Sequence, residues 1–175
     1  MKDKRRALFL GRFQPFHRGH LHRVQEILRE YEWVVLGVGS AQASYTSENP
    51  FTAAERFHMI EIAMEETGIA NYSIIPLEDL RVHHLWVAHV RSQVPAFEVV
   101  FTNDPLSARL FRDHGVIVKQ LPLWNRTECS GTEVRRRLKS REDWKALVPP
   151  GVGSFIEQVD GVGRLEAINQ RTQEP

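Results

Sequence analysis

The chain has 175 residues, with 23 Lys and Arg side chains against 22 Asp and Glu side chains, so its formal net charge is +1. This length predicts one domain over residues 1–175 with a core of its own, and the fractions of 42% apolar and 26% charged residues argue against a disordered chain. The balanced charge disfavours a dedicated nucleic-acid binder, because such proteins usually carry a basic excess.

Neither a membrane span nor a secretion signal is predicted. No run approaches the roughly 20 apolar residues of a membrane helix. The apolar residues 7–10, which follow a mostly basic stretch, are too few for the ~7–15 apolar residues of a signal-peptide core. The one cysteine, Cys129, leaves no internal disulfide and favours a reducing compartment, so we expect a cytoplasmic protein. Cys129 is expected to be a small packed residue, and a reactive thiol at a helix start is the alternative.

Five short apolar segments predict strands, and segments with helical apolar spacing separate them. Strands that alternate with helices predict a parallel sheet covered on both faces, in a doubly wound α/β fold. Ligands of such sheets lie beyond the carboxyl ends of the strands, so the residues that follow strands are the candidate functional residues. The predicted strands are residues 7–10, 33–38, 72–75, 99–101 and 116–118.

Helices are predicted where apolar residues recur at helical spacing after a capping signal. Two S/T-x-x-E capping boxes, at residues 52–55 and 130–133, and the Asp-Pro pair at 104–105 mark three helix starts. Further helices are predicted from Gly19, as the first helix of the chain, and over residues 83–94, and one short helix is predicted after the break at 149–151. The core is expected over residues 7–140, C-terminal helices over 141–165 and a frayed tail over 170–175.

Residues 11–20, with the sequence GRFQPFHRGH, connect the first strand to the first helix and contain two histidines three residues apart. At a helix N-terminus such residues share one face, where the helix dipole and free backbone N–H groups attract an anion. His17 and His20 can donate imidazole N–H groups to phosphate oxygens, and Gly19 allows a close backbone approach. A lone histidine here would be a surface residue, but the whole string predicts a phosphate site.

Residues 130–135, with the sequence SGTEVR, follow the fifth strand at another helix start. Ser130 and Glu133 form a capping box whatever the function, so this motif alone leaves a structural role and a phosphate cradle equally open. Both motifs lie at helix N-termini, after the first and the last strand, and together they predict opposed donors around a polyphosphate. The P-loop and complete GxGxxG motifs do not occur, which disfavours a P-loop kinase and an ordinary dinucleotide-binding dehydrogenase.

Residues 11–20 resemble the HxGH motif of the nucleotidylyltransferase superfamily, and residues 130–135 resemble its ISxTxxR motif. With GSAQ at 39–42, NPFTAAER at 49–56 and SGTEVRRR at 130–137, the chain resembles the archaeal-type nicotinamide-nucleotide adenylyltransferase family over nearly its whole length. The resemblance implies a Rossmann-like fold and the transfer of the adenylyl group of ATP to nicotinamide mononucleotide (NMN). The products would be NAD and pyrophosphate, and Mg²⁺ would arrive with ATP. The phosphate of NMN is already ionised, so catalysis needs positioning and charge stabilisation rather than a general base.

The resemblance also implies roles for single residues. Arg12 and Arg135 would bind the triphosphate and the transition-state charge. His17 and His20 would hold the phosphates of ATP, with His20 nearest the α-phosphate. The other implied ATP-binding residues are Gly11, Phe13, Gln14, Gly19, Ser130, Gly131 and Thr132, together with Asn103 at the adenosine.

Three residues are implied to bind NMN. Ser40 would lie near the mononucleotide, Asp79 would accept a hydrogen bond from the carboxamide, and Trp86 would face the ring. Trp86 lies at helical spacing with Val87 and Val90, so it is equally compatible with the core, and Asp79 is compatible with a helix cap.

Other charged residues have structural interpretations. Arg56 is compatible with an ion pair to Glu55 or to charges near Glu61, and at most two arginines of the run 135–137 can face one site because the run winds around a helix. No metal site is predicted, because the histidines of the first motif lack a carboxylate or thiolate partner at ligand spacing.

The chain departs from the family pattern at three places. His83 replaces an expected asparagine, Asn103-Asp104 replaces a glycine-asparagine variant, and Glu48 lies at a position that is basic in some relatives. The choice between NMN and its deamido form therefore stays open. The rival functions are another small-molecule nucleotidylyltransferase, such as a phosphopantetheine adenylyltransferase or a cytidylyltransferase, and a non-catalytic nucleotide sensor. The resemblance further implies a homo-oligomer, with a hexamer as one candidate.

Overall fold

Five strands alternate with helices in the computed structural model, which describes residues 5–120 and 130–173. Residues 121–129 lie outside the described residues, and the expectation that Cys129 is a small packed residue falls on them. All neighbouring strands are parallel and follow the order β3-β2-β1-β4-β5, which confirms the doubly wound, Rossmann-like sheet. The strand order reverses between β1 and β4, the place where such sheets bind ligands. The strands are β1 (Arg6–Gly11), β2 (Trp33–Val38), β3 (Tyr72–Pro76), β4 (Val99–Phe101) and β5 (Ile117–Lys119).

The helices begin where the capping signals predict. Thr52 and Glu55 form a complete capping box, and the Asp104 carboxylate accepts a hydrogen bond from the Ser107 N–H at 2.7 Å. Single 3₁₀ turns at His83–Leu85 and Lys145–Leu147 precede the third and the sixth helix. The helices are α1 (Arg18–Glu30), α2 (Ala53–Glu66), α3 (Trp86–Gln93), α4 (Pro105–Asp113), α5 (Gly131–Ser140), α6 (Pro150–Gln158) and α7 (Gly161–Gln173).

The expectation of one short final helix is wrong, and so is that of a frayed tail over residues 170–173, the described part of 170–175. Two helices, α6 and α7, form this segment, and α7 continues through Gln173. Leu165 on α7 is buried, and both Arg141 and Arg164 form ion pairs that involve this helix. Contacts with residues far away in the chain thus hold the first half of α7, around residues 164–166.

The second predicted capping box is only half formed. Ser130 Oγ accepts a hydrogen bond from the Glu133 N–H at 3.1 Å, as a cap should. The Glu133 carboxylate, however, accepts hydrogen bonds from Arg136 and Arg137, which lie three and four residues further along the same helix face. These hydrogen bonds lower the pKa of Glu133 to about 2. Two guanidinium partners attract this carboxylate more strongly than the cap N–H does.

The chain consists of two compact units, each assembled from several segments. The described part of the first is residues 5–11, 23–41 and 71–120, and it contains the whole sheet; that of the second is residues 12–22, 42–70 and 130–173. In the first unit, Leu8, Val35 and Val100 of the sheet pack with Val90 and Phe111 of the helices in one buried cluster. The single domain stays a prediction. Over the described ranges, no helix is long and apolar enough to cross a membrane.

Candidate active site

Gln14, in the segment that follows β1, is held by a pair of buried hydrogen bonds. Its side-chain Nε2 donates to the Phe51 carbonyl at 2.8 Å, and its Oε1 accepts from the Phe51 N–H at 3.0 Å. The side-chain amide of Gln14 thus binds both main-chain polar groups of Phe51, as the main chain of a neighbouring strand does. Phe13 has a φ of 51°, a left-handed conformation that a non-glycine residue adopts at a cost and that often marks functional sites. The first motif is therefore held in one defined conformation.

The two histidines of the first motif lie together at the start of α1, as predicted. Their rings are stacked with centroids 3.6 Å apart, and the Phe13 ring packs edge-on against His20 at 4.8 Å. His20 Nδ1 accepts a hydrogen bond from the His17 main-chain N–H at 3.3 Å. A neutral imidazole that accepts at Nδ1 carries its proton on Nε2, so His20 can offer an Nε2–H donor to an anion.

Arg135 joins the second motif to the first. Its Nη1 donates to the Gln14 carbonyl at 2.8 Å, across 121 residues of sequence, and its Nη2 lies 3.4 Å from Thr132 Oγ1. Gly131 leaves room for this contact, because a Cβ there would lie 3.1 Å from Arg135 Nη1 and 3.2 Å from the Gln14 carbonyl oxygen, closer than side chains usually pack. The structure therefore brings together the two motifs that the sequence predicted around one polyphosphate.

The site carries two positive charges that influence each other. Burial lowers the pKa of Arg135, the charge of Arg12 lowers it further, and the carboxylate of Glu48 offsets part of this change. Arg12 Nη1 lies 3.1 Å from Glu48 Oε2, and both side chains are well exposed. Guanidinium groups stay charged at neutral pH. Two guanidinium groups close enough to influence each other favour the binding of an anion near them.

Arg56 supports the first motif, a role that the sequence left open. It is completely buried, its Nη1 donates to the Arg12 carbonyl at 2.9 Å, and its Nε donates to the Thr52 carbonyl at 3.2 Å. Glu55, which the sequence offered as a partner for Arg56, pairs with Arg164. Arg56 thus connects the start of α2 to the backbone of Arg12. The NPFTAAER string contains Arg56, but nothing in the string reveals its target.

Among the three arginines of the run 135–137, Arg135 is the one that contacts the first motif. Arg136 binds Glu133 and Glu142 at 2.8 and 2.6 Å, and Arg137 binds Glu133 at 2.8 Å. This arrangement agrees with the expectation that at most two of the three can face one site.

In the first unit, main-chain hydrogen bonds join the carboxyl ends of three strands. The Gly39 N–H donates to the Gly11 carbonyl at 2.9 Å, and the Ala41 N–H donates to the Leu77 carbonyl at 3.0 Å. Ser40 lies between these two anchors with a φ of 49°. The NMN-binding role of Ser40 stays a prediction, as does the adenosine role of the exposed Asn103, which follows β4.

Trp86 and Asp79, the other residues implied to bind NMN, also belong to the first unit. Trp86 begins α3 and packs partly buried against the apolar cluster, while its indole Nε1 is buried without a hydrogen-bond partner among the described residues. Asp79 is exposed and does not cap a helix, because Val82 and Leu85 occupy the cap positions of the segments that follow. His83, one of the departures, is exposed.

The comparisons with known proteins agree with these features. A family model described as cytidylyltransferase-like matches residues 8–137. The chain is 48% identical over 166 residues to the nicotinamide-nucleotide adenylyltransferase of Methanolobus tindarius, with 95% of each chain covered. It is 47% identical over 165 residues to the protein of that name from Picrophilus torridus, with 94% of this chain and 98% of that one covered.

A solved structure shares the fold. It is a bifunctional NMN adenylyltransferase/ADP ribose pyrophosphatase from Francisella tularensis, complexed with AMP and a manganese ion. The TM-score is 0.78 at 22% identity, over 95% of this chain and 52% of that chain. The resemblance drawn from the motifs is thus confirmed: the chain belongs to the cytidylyltransferase-like family and, within it, to the nicotinamide-nucleotide adenylyltransferases.

Proposed function

We propose that this protein transfers the adenylyl group of ATP to NMN, forming NAD and releasing pyrophosphate, as a step of NAD biosynthesis. The observation that carries the proposal is the 2.8 Å hydrogen bond from Arg135 to the Gln14 carbonyl, because it assembles both phosphate motifs into one cationic site. The function named for relatives at 48% and 47% identity supports the same reaction.

The proposed chemistry needs charge stabilisation and no general base. An ionised phosphate oxygen of NMN bonds to the α-phosphorus of ATP, the bond to the bridging oxygen breaks, and pyrophosphate leaves with the electron pair. Arg12 and Arg135 stabilise the charge on the triphosphate, and His17 and His20 hold the phosphates, with His20 donating Nε2–H at the α-phosphate. The remaining proposed ATP-binding residues are Gly11, Phe13, Gln14, Gly19, Asn103, Ser130, Gly131 and Thr132.

A divalent metal ion accompanies ATP in this proposal, and we propose Mg²⁺. The donors of the two motifs are guanidinium, imidazole and N–H groups, which bind phosphate oxygens. In residues 5–120 and 130–173, no group of three or more His, Cys, Asp or Glu side chains could hold a metal ion. Mg²⁺ commonly enters active sites on the phosphates of its nucleotide, where it neutralises their charge. The manganese ion in the Francisella tularensis structure is consistent with a divalent cation.

The remaining proposals concern location and assembly. Partners other than ATP, NMN, NAD and pyrophosphate are not part of the proposed function, which involves neither a nucleic acid nor a membrane. The homo-oligomer, with a hexamer as one candidate, and the cytoplasmic location stay predictions from the sequence.

Pyrophosphate release from ATP and Mg²⁺ tests the proposed function. NMN, its deamido form, phosphopantetheine and glycerol phosphate are supplied in separate reactions. We expect release with NMN, matched by an equal amount of NAD, and the deamido arm decides the preference between the two forms. Release with phosphopantetheine or glycerol phosphate but not with NMN would show that the acceptor is not NMN. ATP binding without release in any reaction would favour a nucleotide sensor.

The Trp86→Ala variant should raise the KM for NMN by about tenfold while the KM for ATP changes little, because a nicotinamide ring loses its aromatic face. Steady-state kinetics with each substrate varied in turn measures the two constants. In Trp86→Phe, which keeps an aromatic face, the KM for NMN and the KM for ATP should both stay near the values of the original protein. Leu85→Ala, an exposed neighbour, is the matched control. An unchanged KM for NMN would show that Trp86 does not bind the ring and has a structural role only.

The Glu48→Gln variant should bind inorganic pyrophosphate and ATP up to about fivefold more tightly, because the Arg12–Glu48 pair is an exposed ion pair that an incoming phosphate must displace. Isothermal titration calorimetry measures both affinities. Glu65→Gln, which removes an exposed carboxylate of α2, should bind as the original protein does. Weaker binding by Glu48→Gln would mean that Glu48 positions Arg12 for the phosphates rather than competing with them.

A further inference from the structure

Arg164, on α7, contacts the segment of residues 45–55 at several points while its side chain is only 13% exposed. Its two Nη atoms bind the two oxygens of Glu55 at 2.7 Å each, and Nη1 also donates to the Pro50 carbonyl at 3.2 Å. The guanidinium carbon lies 4.8 Å from the centroid of the Tyr45 ring and 5.8 Å from that of the Phe51 ring. One side chain thus contacts four residues of the segment that leads into α2.

Glu55 is fixed from two directions. Its carboxylate accepts a hydrogen bond from the Thr52 N–H at 2.8 Å in the capping box, in addition to those from Arg164. Burial alone would raise the pKa of Glu55, but the hydrogen bonds from Arg164 and Thr52 outweigh burial and hold the pKa below its ordinary value. The first turn of α2 therefore rests on an ionised carboxylate that has donors on both sides.

The segment that Arg164 holds leads to the phosphate site in two steps. Phe51, next to Pro50, forms the pair of hydrogen bonds with Gln14. The Gln14 carbonyl then accepts the hydrogen bond from Arg135. We name the series Arg164, Pro50, Phe51, Gln14, Arg135 the contact chain. Because each member is bonded, hydrogen-bonded or packed against the next, we expect part of a displacement at one end to reach the other.

We infer that Arg164 is a positioning residue for adenylyl transfer, which sets the place of the Arg135 guanidinium through the contact chain. This inference rests on the proposed function. Arg164 binds no phosphate itself in this role. Its loss would shift Arg135 relative to the reacting phosphates. Such a shift lowers the rate of the chemical step most, and it weakens the binding of phosphate groups to a smaller but measurable extent.

The test compares Arg164→Met and Arg164→Lys with Arg141→Met in the full chain. Arg141 also binds a glutamate with two hydrogen bonds, to Glu166 at 2.7 and 3.0 Å, and is not part of the contact chain. We expect kcat to fall by about tenfold or more in Arg164→Met with an unchanged KM for NMN. Arg164→Lys, which keeps the charge and provides a folded alternative, should be intermediate. The kcat of Arg141→Met should stay within about twofold of the original.

A double-mutant cycle with Gln14→Ala separates positioning from general stability. If Arg164 acts through Gln14, its replacement should cost little more in a chain that already lacks the Gln14 side chain. Additive losses, or equal losses in Arg141→Met, would overturn the inference. A wild-type protein without turnover would refute the proposed function. Calorimetric titration with inorganic pyrophosphate then still tests the contact chain, because it measures binding and needs no turnover. Weaker pyrophosphate binding by Arg164→Met than by Arg141→Met would still support the contact chain, and equal binding would count against it.

Discussion

Replacing His20 by alanine should lower kcat by about 10²–10³-fold while the affinity for ATP changes little. The side chain is prepared for this role before any ligand arrives, because Nδ1 accepts the His17 N–H at 3.3 Å and leaves the proton on Nε2. A donor aimed at the α-phosphate contributes most when negative charge accumulates there, as pyrophosphate leaves. Its loss therefore affects the transition state more than the bound substrate.

Single-turnover measurement of NAD formation, together with calorimetric titration of ATP, separates these two effects. His58→Ala is a suitable control, since His58 is an exposed histidine on α2 whose described ion-pair partner is Glu61. His20→Gln, which keeps a neutral N–H donor, should lose less activity than His20→Ala. A normal kcat in His20→Ala would refute the role assigned to this residue.

Replacing Arg135 by alanine should lower kcat/KM for ATP by about 10²–10³-fold, with changes in both constants. Arg135 carries charge at the junction of the two motifs and is held there by the Gln14 carbonyl at 2.8 Å. Arg135→Lys should also be strongly impaired. A lysine keeps the charge but cannot bind the carbonyl and a phosphate through one rigid, planar group.

The adjacent arginine provides the control for this prediction. Arg136→Ala removes the same charge from the same helix, but Arg136 binds Glu133 and Glu142 and is half exposed. Its kinetic constants should stay within about twofold of the original. If Arg135→Ala and Arg136→Ala lose activity equally, the effect comes from the overall charge of α5, and Arg135 has no specific role.

Local signals in the sequence were sufficient for most of the fold. The strands and the three helix starts are each decided by neighbours a few residues apart, so these predictions are confirmed with small shifts, such as β5 beginning at Ile117. The half-formed box at Ser130 shows the limit of this reasoning. The cap motif considers only the main-chain N–H of the cap residue as a donor to the Glu133 carboxylate. Arg136 and Arg137, further along the helix, donate to that carboxylate instead.

The sequence by itself determined the strands and the family, and it predicted which residues bind the phosphates, because each of these depends on a contiguous run or motif. Only the tertiary structure decided what holds those residues in place. The Phe51–Gln14 pair, the Arg56–Arg12 contact and the Arg164–Glu55 pair connect residues that are 37, 44 and 109 positions apart. Such contacts leave no periodicity or spacing in the sequence, since they form only when folding brings distant segments together and burial makes each polar group require a partner.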